Sequence, residues 1–168
     1  MVFSRGQTAQ LARLAGMQGS VTVNMKASPE RIWDVITDVT RIGEFSPETL
    51  EAEWLKGATG PAVGAEFRGH VKRNGRPPMY WTVCKITTCD INREFGFSVM
   101  TGGKPVNTWT YKLAPTADGT AVTESFALTQ SAPLKIYWAL FGWARKNTND
   151  RGMRTTLERI RTVVEKSD

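Results

Sequence analysis

The chain has 168 residues, 40% of them apolar, and its 22 Lys+Arg against 16 Asp+Glu give a formal charge of +6. At roughly 150 residues per domain this is one domain. With Gly counted and Tyr left out the apolar fraction is about 47%, a globular composition that excludes a disordered or collagen-like chain. No run of ~18 apolar residues is present, so no membrane-spanning helix is expected.

Residues 1–18 carry Arg5 and Arg13 without a continuous apolar run, so no secretory signal is expected there. Leu11, Leu14 and Ala15 make at most one short helical stripe, bracketed by Gly6, Gly16 and Gly19. The segment reads as an N-terminal extension, with a single domain over 19–168. Patterned structure begins near Ser20, where Val21, Val23 and Met25 alternate with polar residues as in a half-buried strand. Ser28-Pro29-Glu30 then supplies an N-cap, a Pro at the first helical position and an acid in the first turn. The helix it opens puts Ile32, Val35, Ile36 and Val39 on one face and is expected to end between Asp38 and Arg41, before a loop through 42–47.

From there the pattern is strand after strand. Residues 50–55 are short and mixed; Ala65, Phe67, Gly69 and Val71 alternate with Glu66, Arg68, His70 and Lys72. Asn74-Gly75 is a two-residue hairpin signal, and the return strand is expected from about Tyr80 to Thr88. Phe95, Phe97 and Val99 mark the next strand, then Trp109, Tyr111 and Leu113, and Ala117-Asp118-Gly119 turns the chain into Val122, Glu124, Phe126 and Leu128. About seven strands result, antiparallel, with one helix inserted after the first. After Pro133 the period changes: Met153, Leu157, Ile160 and Val164 form a helical stripe. Each strand and the last helix has one apolar face, so the economical α+β arrangement is a curved antiparallel sheet wrapped around a long C-terminal helix.

The stretch from Ala27 to Asp38, Ala-Ser-Pro-Glu-Arg-Ile-Trp-Asp-Val-Ile-Thr-Asp, continuing to Arg41 and Phe45-Ser46-Pro47, resembles the opening of the START-like (SRPBCC) superfamily. Within it the resemblance is closest to the polyketide cyclase/dehydrase and lipid-transport group. Val63-Gly64-Ala65-Glu66-Phe67-Arg68-Gly69, Trp109-Thr110-Tyr111, Gly119 to Phe126 and Thr156-Leu157-Glu158-Arg159-Ile160 add to it. The resemblance covers residues from about 20 to 165 and implies a helix-grip fold with a hydrophobic cavity. It does not fix a function, because that fold serves carriers, cyclases, hydroxylase domains and receptors alike. It carries over no invariant catalytic set.

The large residues assigned to the inner face are Phe67, Trp81, Phe95, Phe97, Trp109, Tyr111 and Phe126. They either close-pack as a filled core or line a cleft for a small hydrophobic molecule. Glu124 falls between Val122 and Phe126, so the alternation points its carboxylate inward. A buried carboxylate must be hydrogen-bonded or hold its proton, which makes Glu124 either a structural acid or a candidate general acid/base. Residues 134–143 are apolar on nearly every side, and Trp138 and Phe141 there are candidate ligand contacts. The segment fits a cavity lid, a homodimer or partner contact, or peripheral membrane docking ahead of Arg145 and Lys146.

His70, the single histidine, shares its face with Glu66, Arg68 and Lys72, and no second His or Cys cluster accompanies it. No metal site and no cofactor is expected. The basic residues Arg68, Lys72, Arg73 and Arg76 gather at one hairpin, as a solvated tip or an anion contact; elsewhere positive charge is scattered, and no specific nucleic-acid partner is implied. Cys84 and Cys89, five apart, are assigned to opposite strand faces, which together with the absence of a CxxC pattern suggests a reduced, cytoplasmic domain. Three functions stay open. The first is a carrier of a small lipid or polyketide-like ligand, favoured because no catalytic constellation is visible. The second is a polyketide cyclase/dehydratase using Glu124 as acid/base, and the third a protein-interaction module acting through residues 134–143.

Overall fold

The computed structural model describes residues 18–129 and 132–166, apart from the side chains of 74 and 132–147. The N-terminal extension therefore lies outside the described residues. Seven antiparallel strands form one sheet: β1 (Gln18–Met25), β2 (Thr49–Trp54), β3 (Glu66–Lys72), β4 (Met79–Asp90), β5 (Glu94–Thr101), β6 (Lys104–Thr116) and β7 (Gly119–Leu128). Their spatial order is β1-β7-β6-β5-β4-β3-β2, a meander whose first strand pairs with its last. Helix α1 (Pro29–Thr37), a 3₁₀ turn (Val39–Arg41) and the one-turn helix α2 (Ile42–Phe45) connect β1 to β2. Helix α3 (Ala132–Glu165) closes the fold. None of the described helices is long and apolar enough to cross a membrane.

Helix α1 starts where the sequence places it: the Ser28 hydroxyl accepts from the Arg31 N–H at 3.4 Å, and Pro29 needs no partner for its missing N–H. Ile32, Trp33, Val35 and Ile36 are buried. The stretch expected to be a loop instead holds α2, tied by a bidentate Arg41–Glu44 pair at 2.8 Å. Gly43 makes this possible, since a Cβ there would stand 1.9 Å from the Leu50 carbonyl oxygen. Only glycine permits so close an approach of α2 to β2.

The meander departs from the expected hairpin at Asn74-Gly75. The last pair is Lys72↔Met79, so the connection runs over 73–78 rather than two residues. Pro77 and Pro78 carry no N–H to extend the ladder, and a 3₁₀ turn at Arg73–Gly75 takes up the slack. A register shift between Ile86 and Thr88 inserts one residue into β4 and exchanges its faces beyond that point. Cys84 consequently pairs with Val99 and Cys89 with Phe95, both on the inner side, where opposite faces were expected. Both cysteines are free.

The apolar stripe of α3 is buried as its spacing requires: Met153, Leu157, Ile160 and Val164 are each at most 2% exposed. The helix runs beside β1. The Lys26 N–H donates to Glu165 at 2.8 Å, and Met153 and Asp150 lie against Gly19. The lower part of α3 meets Trp33, Phe45 and Phe95 with α1 and α2, and Trp33 stands edge-on to Phe95 at 6.2 Å. This end of the sheet is a filled core, leaving about 10 Å³ among Ile36, Val39, Phe45, Phe95 and Ile160.

Candidate functional site

At the other end the core is not filled. A cavity of about 300 Å³ lies between the inner face of β3–β7, the α2–β2 connection and residues 148–156 of α3. The reason is side-chain size. Thr148, Gly152, Thr155 and Thr156 on the helix, with Gly69 and Thr82 on the sheet, replace the large residues that close the opposite end. The strands supply an apolar wall of Phe67, Val71, Cys84, Phe97, Val99 and Trp109. Arg73, Gly75, Tyr80 and Arg151 also line it. Its volume stands at the lower bound of the roughly 300–1,000 Å³ usual for small-molecule sites.

Two acidic residues border the cavity, Glu48 and Glu124, and Glu124 is the buried one, 3% exposed. The register places it opposite Tyr111 on β6, whose hydroxyl donates to Glu124 Oε1 at 2.9 Å. The other carboxyl oxygen, Oε2, has no hydrogen-bond partner among the described residues. Burial disfavours the charged form and lifts the carboxyl pKa from 4.5 to about 8, against the smaller lowering effect of the Tyr111 hydroxyl. Burial, and then the neighbouring carboxylate, likewise drive the Tyr111 hydroxyl well above its ordinary value. At neutral pH Glu124 is thus mostly a protonated carboxylic acid, able both to donate and to accept in an apolar surrounding. Cys84, also in the wall, is raised by burial to about 12 and stays a thiol.

The candidate residues distribute unevenly. Phe67, Phe97, Trp109, Tyr111 and Glu124 meet around the cavity. Phe95 is inward but belongs to the filled end, and Phe126 stands beside Trp109 at 4.9 Å between ring centres without bordering the cavity. Trp81 does not belong to the inner face: it pairs with His70 across β3–β4 and is 44% exposed. Once Phe67 points inward, antiparallel pairing with Cys84 sends Trp81, three residues away, to the outer face. There it stacks on His70 at 4.7 Å with the Arg68 guanidinium 4.6 Å from its ring. His70 itself meets Glu51 at 3.0 Å on that outer face. Trp138 and Phe141 belong to α3, but their side chains, like those of the whole 134–143 segment, lie outside the described part of the structure.

Two polar residues escaped the sequence reading. Asn107 on β6 and Asn149 on α3 both border the cavity, and Asn107 Oδ1 and Asn149 Nδ2 are buried without partners among the described residues. The signal was available for Asn107, which lies two residues from Trp109 and so shares its face. The same holds for Asn149, which lies four residues before Met153 and so on the same helical stripe. Among the described residues no group of three or more His, Cys, Asp and Glu is placed to hold a metal ion.

Solved structures reproduce this architecture. A polyketide-cyclase-like protein from Corynebacterium glutamicum is 28% identical, with 89% of this chain and 91% of that one covered at a TM-score of 0.60. A protein from Mycobacterium smegmatis is 17% identical over 92% of this chain and 95% of its own, with a TM-score of 0.63. The di-domain ARO/CYC protein StfQ of the steffimycin biosynthetic pathway superposes at a TM-score of 0.71 with 10% identity. This chain is 93% covered and spans about half of it (53%). The last two likenesses bear on the fold alone. No curated protein sequence matches the chain significantly. The sequence pattern of the family described as polyketide cyclase/dehydrase and lipid transport, however, extends over residues 17–165, from the first strand to the end of the last helix. The chain belongs to that family.

Proposed function

We propose that the protein binds and carries a small hydrophobic molecule, lipid or polyketide-like, in the cavity beneath residues 148–156 of α3. The observation that supports this reading best is the contrast between the two ends of one sheet. One is packed to about 10 Å³, while the other keeps about 300 Å³ behind an apolar wall with a single buried carboxylic acid. Close-packed interiors rarely hold voids much larger than a water molecule, so space of this size suits a ligand. Glu124 would orient it by donating a hydrogen bond to an oxygen of the guest. Mass spectrometry of organic extracts from the purified protein tests the reading. A hydrophobic compound recovered stoichiometrically is expected. Its absence, with no hydrophobic compound binding the extracted protein, would overturn it.

A second reading, a cyclase or dehydratase, is favoured by one feature: a carboxylic acid with a pKa of about 8 is poised for general acid/base work near neutral pH. Glu124→Gln separates the two. An enzyme would keep ligand affinity while turnover falls by about 10²–10⁴. A carrier would show no turnover to lose and only a modest change in affinity.

A further inference from the structure

The cavity carries a second polar station besides Glu124. Asn149 is 5% exposed, and its Nδ2 is buried with no partner among the described residues; the Oδ1 of Asn107 is in the same condition. Both residues border the cavity. A buried amide left unpaired is costly, on the order of 1–3 kcal/mol, and wild-type cores seldom keep two such groups facing one space.

The ladder fixes the spacing. Glu124 is level with Tyr111, and Asn107 lies four residues earlier on β6, level with Leu128. At about 3.3 Å per residue the two levels are about 13 Å apart along the strand. Asn149 stands towards the Asn107 level: Asp150 and Met153 lie against Gly19, in register with Phe126, and α3 runs on from there past the Glu124 level to Lys26. Phe126 in turn pairs with Trp109, midway between Asn107 and Tyr111, and Asn149 precedes Asp150 on the side away from Glu124. Between the two levels the wall carries Trp109 and Phe97, which pair with each other.

We infer that Asn107 and Asn149 form a second hydrogen-bonding subsite, and that the ligand is an elongated molecule with oxygen functions at two points separated by an apolar stretch. This rests on the cavity being a binding site. It narrows the guest: a chain with one polar end satisfies Glu124 or the amides, but not both. The unpaired atoms are an acceptor, Asn107 Oδ1, and a donor, Asn149 Nδ2, so this subsite suits a hydroxyl, which can donate to one and accept from the other.

Calorimetric titration with 1-decanol and 1,10-decanediol tests the inference. A purely apolar outer half would bind the diol about tenfold or more weakly, because its second hydroxyl would be buried unpaired. The expected result is that the wild-type protein binds the diol at least as tightly as the alcohol. Asn149→Leu and Asn107→Leu should each then reverse that preference. Asn149→Ser, which keeps a polar helix face, should weaken the diol selectively and guards against loss of the fold, which the melting temperature monitors. Glu124→Gln should change both probes alike. If the wild type already prefers the alcohol tenfold, or the Asn variants leave the ratio unchanged, the amides are satisfied by water and the inference is wrong. If neither probe binds at all, the cavity reading itself fails and this inference falls with it.

Discussion

Ionising Glu124 should destabilise the fold, and the pH at which it does so is set by the cavity. The folded protein holds this proton up to about pH 8, whereas an unfolded chain releases it near 4.5. The folded form therefore binds more protons between those values, and stability falls as pH rises through that window and levels off above it. At about 1.4 kcal/mol per pH unit the full window is a ceiling of about 5 kcal/mol. Urea denaturation at pH 6 and pH 9 samples its upper part, where about 3 kcal/mol should be lost. Water reaching Oε2 through the cavity reduces this without changing its sign. Glu124→Gln fills the same volume and carries no titrating proton, so its stability should lack this decline. Parallel stability profiles for the two proteins from pH 6 to 9 would refute the reasoning, because Glu124 would then have no folded-state preference for its proton.

Other outcomes follow from the same geometry. Tyr111→Phe removes the hydroxyl that donates to Glu124 Oε1 at 2.9 Å; it should cost about 1–3 kcal/mol and move the pH-dependent decline to higher pH, since that bond favours the carboxylate. Leu157→Ala, at a position that is 0% exposed in the filled core, should lower unfolding free energy by about 2–5 kcal/mol with an unchanged urea m-value. Trp81→Ala removes an outer-face ring held by His70 and Arg68. It should cost no more than about 1 kcal/mol and leave calorimetric affinity for 1-decanol unaltered.

The parts of the fold legible in the sequence are those where one local rule acts alone. The Ser28 cap, the α3 stripe and the strand alternation around Glu124 each depend on neighbours within a turn or a few residues. Their placement followed from periodicity. The errors came where two strands had to be aligned. Trp81 was assigned inward on its bulk, although the pairing of Phe67 with Cys84 and of His70 with Trp81 sends it outward. Cys84 and Cys89 share a face only because of the irregularity between Ile86 and Thr88, which strict alternation does not anticipate.

Of the candidate site, Glu124 and Tyr111 were visible as polar groups in apolar company. What was not visible was where the space lies. Of the aromatic residues that signalled a cavity, Phe95 borders only the small void of the filled end, Trp109 only the large cavity, and Phe67 and Phe97 stand between the two. The dividing feature is absence of bulk at Gly69, Gly152, Thr155 and Thr156, which hydrophobic patterning passes over. Asn107 and Asn149 were missed for a related reason: each is a polar residue on an inward face, and patterning that counts apolar residues passes over it.

The claim that the guest occupies this cavity is tested most directly by closing it. Val99, half-buried on β5 and in the cavity wall, can be replaced by a bulky side chain directed into the space. The measurement is fluorescence titration of wild type and Val99→Trp with 2-acetylnaphthalene, with circular dichroism checking that both are folded. Micromolar binding to the wild type, about −8 kcal/mol, and its loss in a folded Val99→Trp protein is the predicted result. Equal affinity in the two proteins would place the probe elsewhere and contradict the account.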